Sequence, residues 1–152
     1  MSEVWIKMLN VIVNVYLLWG SIQDIRKKII SASYIKTGFV LGIVHIIWEW
    51  RQQIFVLHEK GLSLVPGIIL LIIAKLSKEK IGYGDGILFL ILGICMKPND
   101  MWNLWQISLL LSTITSVLMV IMKKWKLCSM VPFIPFVWVA HLMSIGSNFL
   151  SL

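Results

Sequence analysis

Two aspartates stand where an acid needs a reason. Asp24 closes an apolar run in SIQDIRKKII, and Asp85 opens another in KIGYGDGILF. A carboxylate at the edge of a long apolar segment is costly unless it is paired, hydrated or functional. Two carboxylates a few ångströms apart do not both ionise easily and tend to share a proton. One then acts as base toward a water, while the protonated partner polarises a peptide carbonyl. Gly82, Gly84 and Gly86 flank the second acid, and a residue without Cβ lets a substrate backbone come close. The chemistry on offer is peptide hydrolysis, with Asp24 and Asp85 as candidate catalytic pair and the three glycines as candidate substrate contacts.

Each acid also has a plainer explanation. Asp85 can serve as N-cap of the helix that follows, with the glycines forming a turn. Asp24 can form a surface ion pair with Lys27 and Lys28 at i+3 and i+4. What separates these explanations from catalysis is the scaffold that places the two acids.

That scaffold is a membrane bundle. Of 152 residues 59% are hydrophobic and 14% charged, well below the roughly 25% charged of soluble domains. A span needs about 20 mostly apolar residues, and hydropathy marks six candidate helices, at 4–22, 34–48, 62–74, 87–96, 102–122 and 132–150. The expectation is an all-α, polytopic bundle in one membrane-embedded domain, 1–152, with no internal repeat, linker or soluble module. The N-terminus has an acid at Glu3 and no small-residue cleavage site, so it reads as a first span rather than a signal peptide.

Charge gives the orientation. Arg26, Lys27 and Lys28 follow the first span, Lys75, Lys78 and Lys80 the third, and Lys123, Lys124 and Lys126 the fifth. These nine face only four on the other side, Lys7, Arg51, Lys60 and Lys97, with Lys36 heading the second span. Positive loops stay in the cytoplasm, so both termini are expected outside and both Asp24 and Asp85 at the cytoplasmic boundary. The net charge of +7 is thereby explained by loops in contact with the lipid bilayer, and no nucleic-acid partner is expected. Glu3, Glu49, Glu59 and Asp100 fall on the outer side, and Glu79 in an inner loop. Trp5, Trp48, Trp50, Trp102 and Trp105 lie near the outer boundary, where aromatic belts form.

Other polar residues read as structure. Gly38 and Gly42 form a small-xxx-small surface for close helix packing. His45 and His141 are expected to be hydrogen-bonded core histidines, His58 lies in an outer loop, and Asn10 and Asn14, one turn apart in the first span, are expected to bond a neighbouring helix. Pro132 and Pro135 open the last helix, where a missing N–H costs least. Cys95 and Cys128 fit neither a disulfide framework nor a zinc tetrad, and no histidine pair has metal-site spacing. No metal and no cofactor is expected.

Three segments together resemble the bacterial type IV prepilin peptidases, membrane aspartyl proteases of the GxGD type. They are Asp24-Ile25-Arg26 followed by Ile30, then Gly82-Tyr83-Gly84-Asp85, and Val131-Pro132-Phe133-Ile134-Pro135-Phe136 at the last span. With the six-span layout, the likeness covers nearly the whole chain. It implies catalysis by Asp24 and Asp85 and a prepilin-like substrate, with a short basic leader, a glycine before the scissile bond and a hydrophobic helix after it. Ile30-Ser31-Ala32 stands where members often carry Ile-Pro-Asn or Ile-Pro-Asp, and Ile87 where a lysine is frequent. The paired-cysteine cytoplasmic domain of the bifunctional, N-methylating members has no counterpart, so the chain is similar to the short form associated with Flp or Tad-type pili.

Two other functions fit a small polytopic protein: a proton-coupled transporter and a non-catalytic pilus or secretion assembly factor. A transporter would want its key acid near mid-membrane in a broken or symmetric helix pair, whereas both acids here are expected near one surface.

Overall fold

The computed structural model describes residues 2–27, 30–77, 82–122 and 132–150. Its six helices are α1 (Ser2–Lys27), α2 (Ala32–Arg51), α3 (Leu57–Leu76), α4 (Tyr83–Cys95), α5 (Pro98–Ile121) and α6 (Ile134–Leu150). There is no strand among the described residues, and the protein is an all-helical membrane bundle. α1 from Lys7, α3 and α5 are each long and apolar enough to cross a membrane, while α4 and α6 are shorter apolar helices. Lys28, Lys78, Glu79, Lys80, Lys123, Lys124, Lys126, Cys128 and Val131 lie outside the described residues.

The helices fall into two compact units, Met1–Ile29 with Asn103–Leu152, and Ile30–Trp102. In the first, α1 packs against α6. Val13, Tyr16, Leu17, Gly20, Ser21 and Asp24 make one buried stripe on α1 at the 3.6-residue period, and Ile134, Val137, Ala140 and His141 make another on α6. The opposite face of α1 exposes Val11, Val15, Leu18, Ile22 and Ile25. Apolar side chains outside and polar ones within is what a lipid solvent selects, because polar groups there must find partners inside the protein. The hydroxyls of α5 obey the same rule. Those of Ser108, Ser112, Thr113, Thr115 and Ser116 each donate to a carbonyl three or four residues back, so an apolar helix carries them without unmade bonds.

In the second unit α3 packs against α4, and α2 against α4. The α3–α4 pair is close because small residues meet backbone. A Cβ on Gly93 would fall on the Ser63 carbonyl oxygen, and one on Gly67 would lie 2.7 Å from the Leu90 nitrogen. Such close approach is how helices gain dispersion contacts where no hydrophobic force drives them together. Gly38 and Gly42 of α2 are buried, and a Cβ at Gly42 would meet Ile94 of α4 at 3.1 Å. The small-xxx-small surface thus faces α4. Ser31 caps α2 by accepting the Tyr34 N–H at 3.3 Å, a local role for one residue of the unusual Ile-Ser-Ala segment.

The boundaries differ from the hydropathy estimate in an instructive way. α1 continues through Lys27 and α3 begins at Leu57, because charged and polar residues continue a helix once it is nucleated in an apolar core. His58 and Lys60 consequently belong to the first turns of α3 rather than to a loop.

Candidate active site

Asp24 lies at the lower end of the buried α1 stripe and is only 8% exposed. It is therefore buried rather than at the surface. Its Oδ2 accepts the backbone N–H of Ile134 at 3.0 Å, and Ile134 is the first residue of α6. A helix leaves its first N–H groups without internal acceptors. Here Pro135 has no N–H, and Phe136 gives its own to the Phe133 carbonyl at 3.0 Å. Ile134 turns to a carboxylate from another helix. Asp24 stands near the C-terminal end of α1, where the dipole disfavours an anion, and the N-terminus of α6 offsets this. Pro135 stands in the first turn of α6 as expected, whereas Pro132 precedes the helix, and their segment also supplies the backbone donor that holds Asp24.

Asp85 sits in the first turn of α4. The N-cap position belongs to Gly82, with extended φ −66° and ψ 127° and no side-chain cap bond. Asp85 is therefore not the N-cap that its sequence neighbourhood allows; it lies three residues further on, and its N–H donates to the Gly82 carbonyl at 3.1 Å.

The three glycines have different surroundings. A Cβ at Gly82 would lie 3.6 Å from Oδ2 of Asp85, an ordinary contact, so packing does not demand glycine there. One at Gly84 would run into the Ile30 side chain, and one at Gly86 would stand 2.6 Å from Cδ2 of Leu71 on α3. At Gly84 and Gly86 the missing Cβ is thus already accounted for by packing, a reason the sequence alone does not separate from substrate clearance.

Register sets the depth of Asp85. The pairs Gly93 with Ser63, Gly67 with Leu90 and Gly86 with Leu71 run antiparallel and carry Asp85 level with Ile72, about one turn inside the end of α3 at Leu76. Asp24 lies about one turn inside the end of α1 at Lys27. Each acid, within its own unit, stands one turn in from the end of a helix long enough to span. Among the described residues, no three His, Cys, Asp or Glu side chains gather as metal ligands.

A second polar cluster escaped the sequence reading. His45 Nε2 lies 3.1 Å from Glu49 Oε1, and Lys60 Nζ lies 2.9 Å from the same oxygen. Lys60 also donates to the Ile94 carbonyl near the end of α4 at 2.9 Å. His45 is the bonded core histidine expected, whereas Lys60 is a half-buried ion-pair partner on α3 rather than a loop cation. The signal was available: His45 and Glu49 are i,i+4 and continue the buried Gly38–Gly42 face. His141 departs from expectation. It is 1% exposed, and neither ring nitrogen has a hydrogen-bond partner among the described residues. Asn14 Oδ1 is likewise buried without one.

A family model described as the type IV leader peptidase family matches residues 11–123. The match includes Asp24 and Asp85 and ends before the Pro132–Phe136 segment. No curated protein and no solved structure matches the chain.

Proposed function

Because the chain belongs to the type IV leader peptidase family, we propose that it is an aspartyl endopeptidase in which Asp24 and Asp85 together remove the leader from a prepilin-like substrate at the cytoplasmic face of the cell membrane. The observation that carries the reading is the setting of Asp24. A carboxylate 8% exposed near the end of a spanning helix, oriented by a helix N-terminus from another part of the chain, is costly to keep for stability alone.

In the proposed reaction the ionised member of the pair takes a proton from water as the water oxygen attacks the scissile carbonyl carbon. The protonated member hydrogen-bonds the carbonyl oxygen and stabilises the negative charge that develops there. Collapse of the tetrahedral intermediate breaks the C–N bond. The departing nitrogen takes a proton from the pair, leaving a carboxyl on the leader and an amine on the mature chain. The substrate backbone passes beside Gly82, which needs no packing reason to be glycine and adjoins the Asp85 carboxylate. Gly84 and Gly86 serve that approach by seating the first turn of α4 against Ile30 and Leu71.

The substrate is held mainly by its hydrophobic helix, since a basic leader gains nothing from the positive inner loops. Hydrolysis by this pair of acids draws on no cofactor. The placement of both acids about one turn from a helix end supports peptidase action over proton-coupled transport, which favours an acid at mid-span. An assembly factor that keeps the fold without catalysis would tolerate loss of either carboxylate. Processing of a prepilin-like reporter by the Asp24→Asn and Asp85→Asn variants decides the matter.

A further inference from the structure

The segment Phe133-Ile134-Pro135-Phe136 is built so that one backbone donor remains for Asp24. Phe133, just before α6, has no side-chain oxygen to cap the helix. Pro135 has no N–H, and the N–H groups of Phe136 and Val137 both go to the Phe133 carbonyl, at 3.0 and 3.3 Å. The Ile134 N–H is left, and it meets Oδ2 of Asp24 at 3.0 Å across 110 residues of sequence. The side chain of Ile134 is fully buried, so the turn that presents this N–H is anchored in the first unit's core. A charge-assisted bond from a backbone amide fixes a carboxylate in both direction and distance, and catalysis by a positioned base is sensitive to displacements of about 1 Å.

We propose that Ile134 is a positioning residue for hydrolysis: its backbone N–H holds the Asp24 carboxylate in its working orientation, and Pro135 keeps that the sole donor offered by the first two residues of α6. The inference rests on the catalytic reading of Asp24 given above.

The test removes the N–H and spares the rest. Ile134→Pro deletes it at a first helical position, where proline is well tolerated. Replacing the 133–134 amide by an ester, with the α-hydroxy analogue of isoleucine at 134, deletes it and keeps the side chain. Ile134→Val keeps the N–H and trims the side chain. An ester at Val137 removes a first-turn N–H that does not reach Asp24. With full-length protein in lipid vesicles and a prepilin-like reporter, Ile134→Pro and the 134 ester should lower kcat about 10- to 100-fold with KM unchanged. Ile134→Val and the 137 ester should stay within about twofold of wild type in kcat. Wild-type kcat in the 134 ester, or a loss confined to KM, would overturn the inference. So would equal losses from the two esters, which would mark a helix-capping effect only. Asp24→Asn is measured alongside. If it processes the reporter normally, the catalytic reading itself fails; if it is inactive while the 134 ester is normal, only the positioning role fails.

Discussion

Lys60 Nζ lies 2.9 Å from Glu49 Oε1, and both side chains are 13% exposed. The pair joins α2 to α3, and the further bond from Lys60 to the Ile94 carbonyl ties both to the end of α4, the helix that carries Asp85. A largely buried ion pair adds little when compared with well-packed apolar residues, but losing one partner strands a charge where solvation is poor. Lys60→Met should therefore destabilise the protein by about 3–5 kcal/mol. Lys60→Met with Glu49→Leu should recover much of that, although His45 then loses its acceptor. Thermal unfolding in detergent reads both. A single mutant as stable as wild type would show that the pair is solvated.

Glycine substitutions should separate packing from chain flexibility. Gly93→Ala drives a Cβ into the Ser63 carbonyl, and Gly67→Ala brings one to 2.7 Å from the Leu90 nitrogen. Both contacts are with backbone, so α3 and α4 must move apart, and each change should lower the melting temperature by several degrees. Gly61, in α3, has nothing within 4 Å of its Cβ position. Gly61→Ala should stabilise by about 0.5–1 kcal/mol, the usual gain from removing glycine within a helix. The opposite ranking in a melting assay would refute the close α3–α4 packing.

Six helices were legible in the sequence because hydropathy is a side-chain signal, and isolated acids single out Asp24 and Asp85 as candidates for the same reason. The bond that holds Asp24 was not, since a backbone N–H has no residue type. Only the Pro-Phe-Ile-Pro-Phe pattern hinted that the start of α6 was special. The Glu49–Lys60 pair was missed because charge counting assigns every lysine near a span end to a loop, and α3 begins five residues earlier than its apolar stretch. Both nitrogens of His141 lack partners among the described residues, which no sequence signal shows, because periodicity marks burial without marking what a buried group meets. Gly82, Gly84 and Gly86 look equivalent in GYGDG, and only the neighbours Ile30 and Leu71 tell them apart.

The proposed orientation is tested by labelling. Single cysteines at positions 27, 78 and 124, in a cysteine-free background, should be shielded from an impermeant thiol reagent in intact cells, and those at Gln52 and Asn99 should react. This follows from the bias of nine basic residues to four under the positive-inside rule. The reverse pattern would put Asp24 and Asp85 on the outer side and remove the cytoplasmic cleavage step.

The most direct measurement is processing of a prepilin-like reporter, followed by its change in size, by Asp24→Asn, Asp85→Asn and the double variant. Either exchange removes a carboxylate with little change in volume. If the two acids work as one acid–base unit, each single variant should lose about 100- to 10,000-fold in rate while the protein remains folded in the membrane. The double variant should be scarcely worse, because residues acting as a unit are strongly non-additive. Glu79→Gln, which alters an acid six residues before Asp85 in sequence, should cleave at close to the normal rate. Retained processing in either single aspartate variant, or an equal loss in Glu79→Gln, would contradict the account.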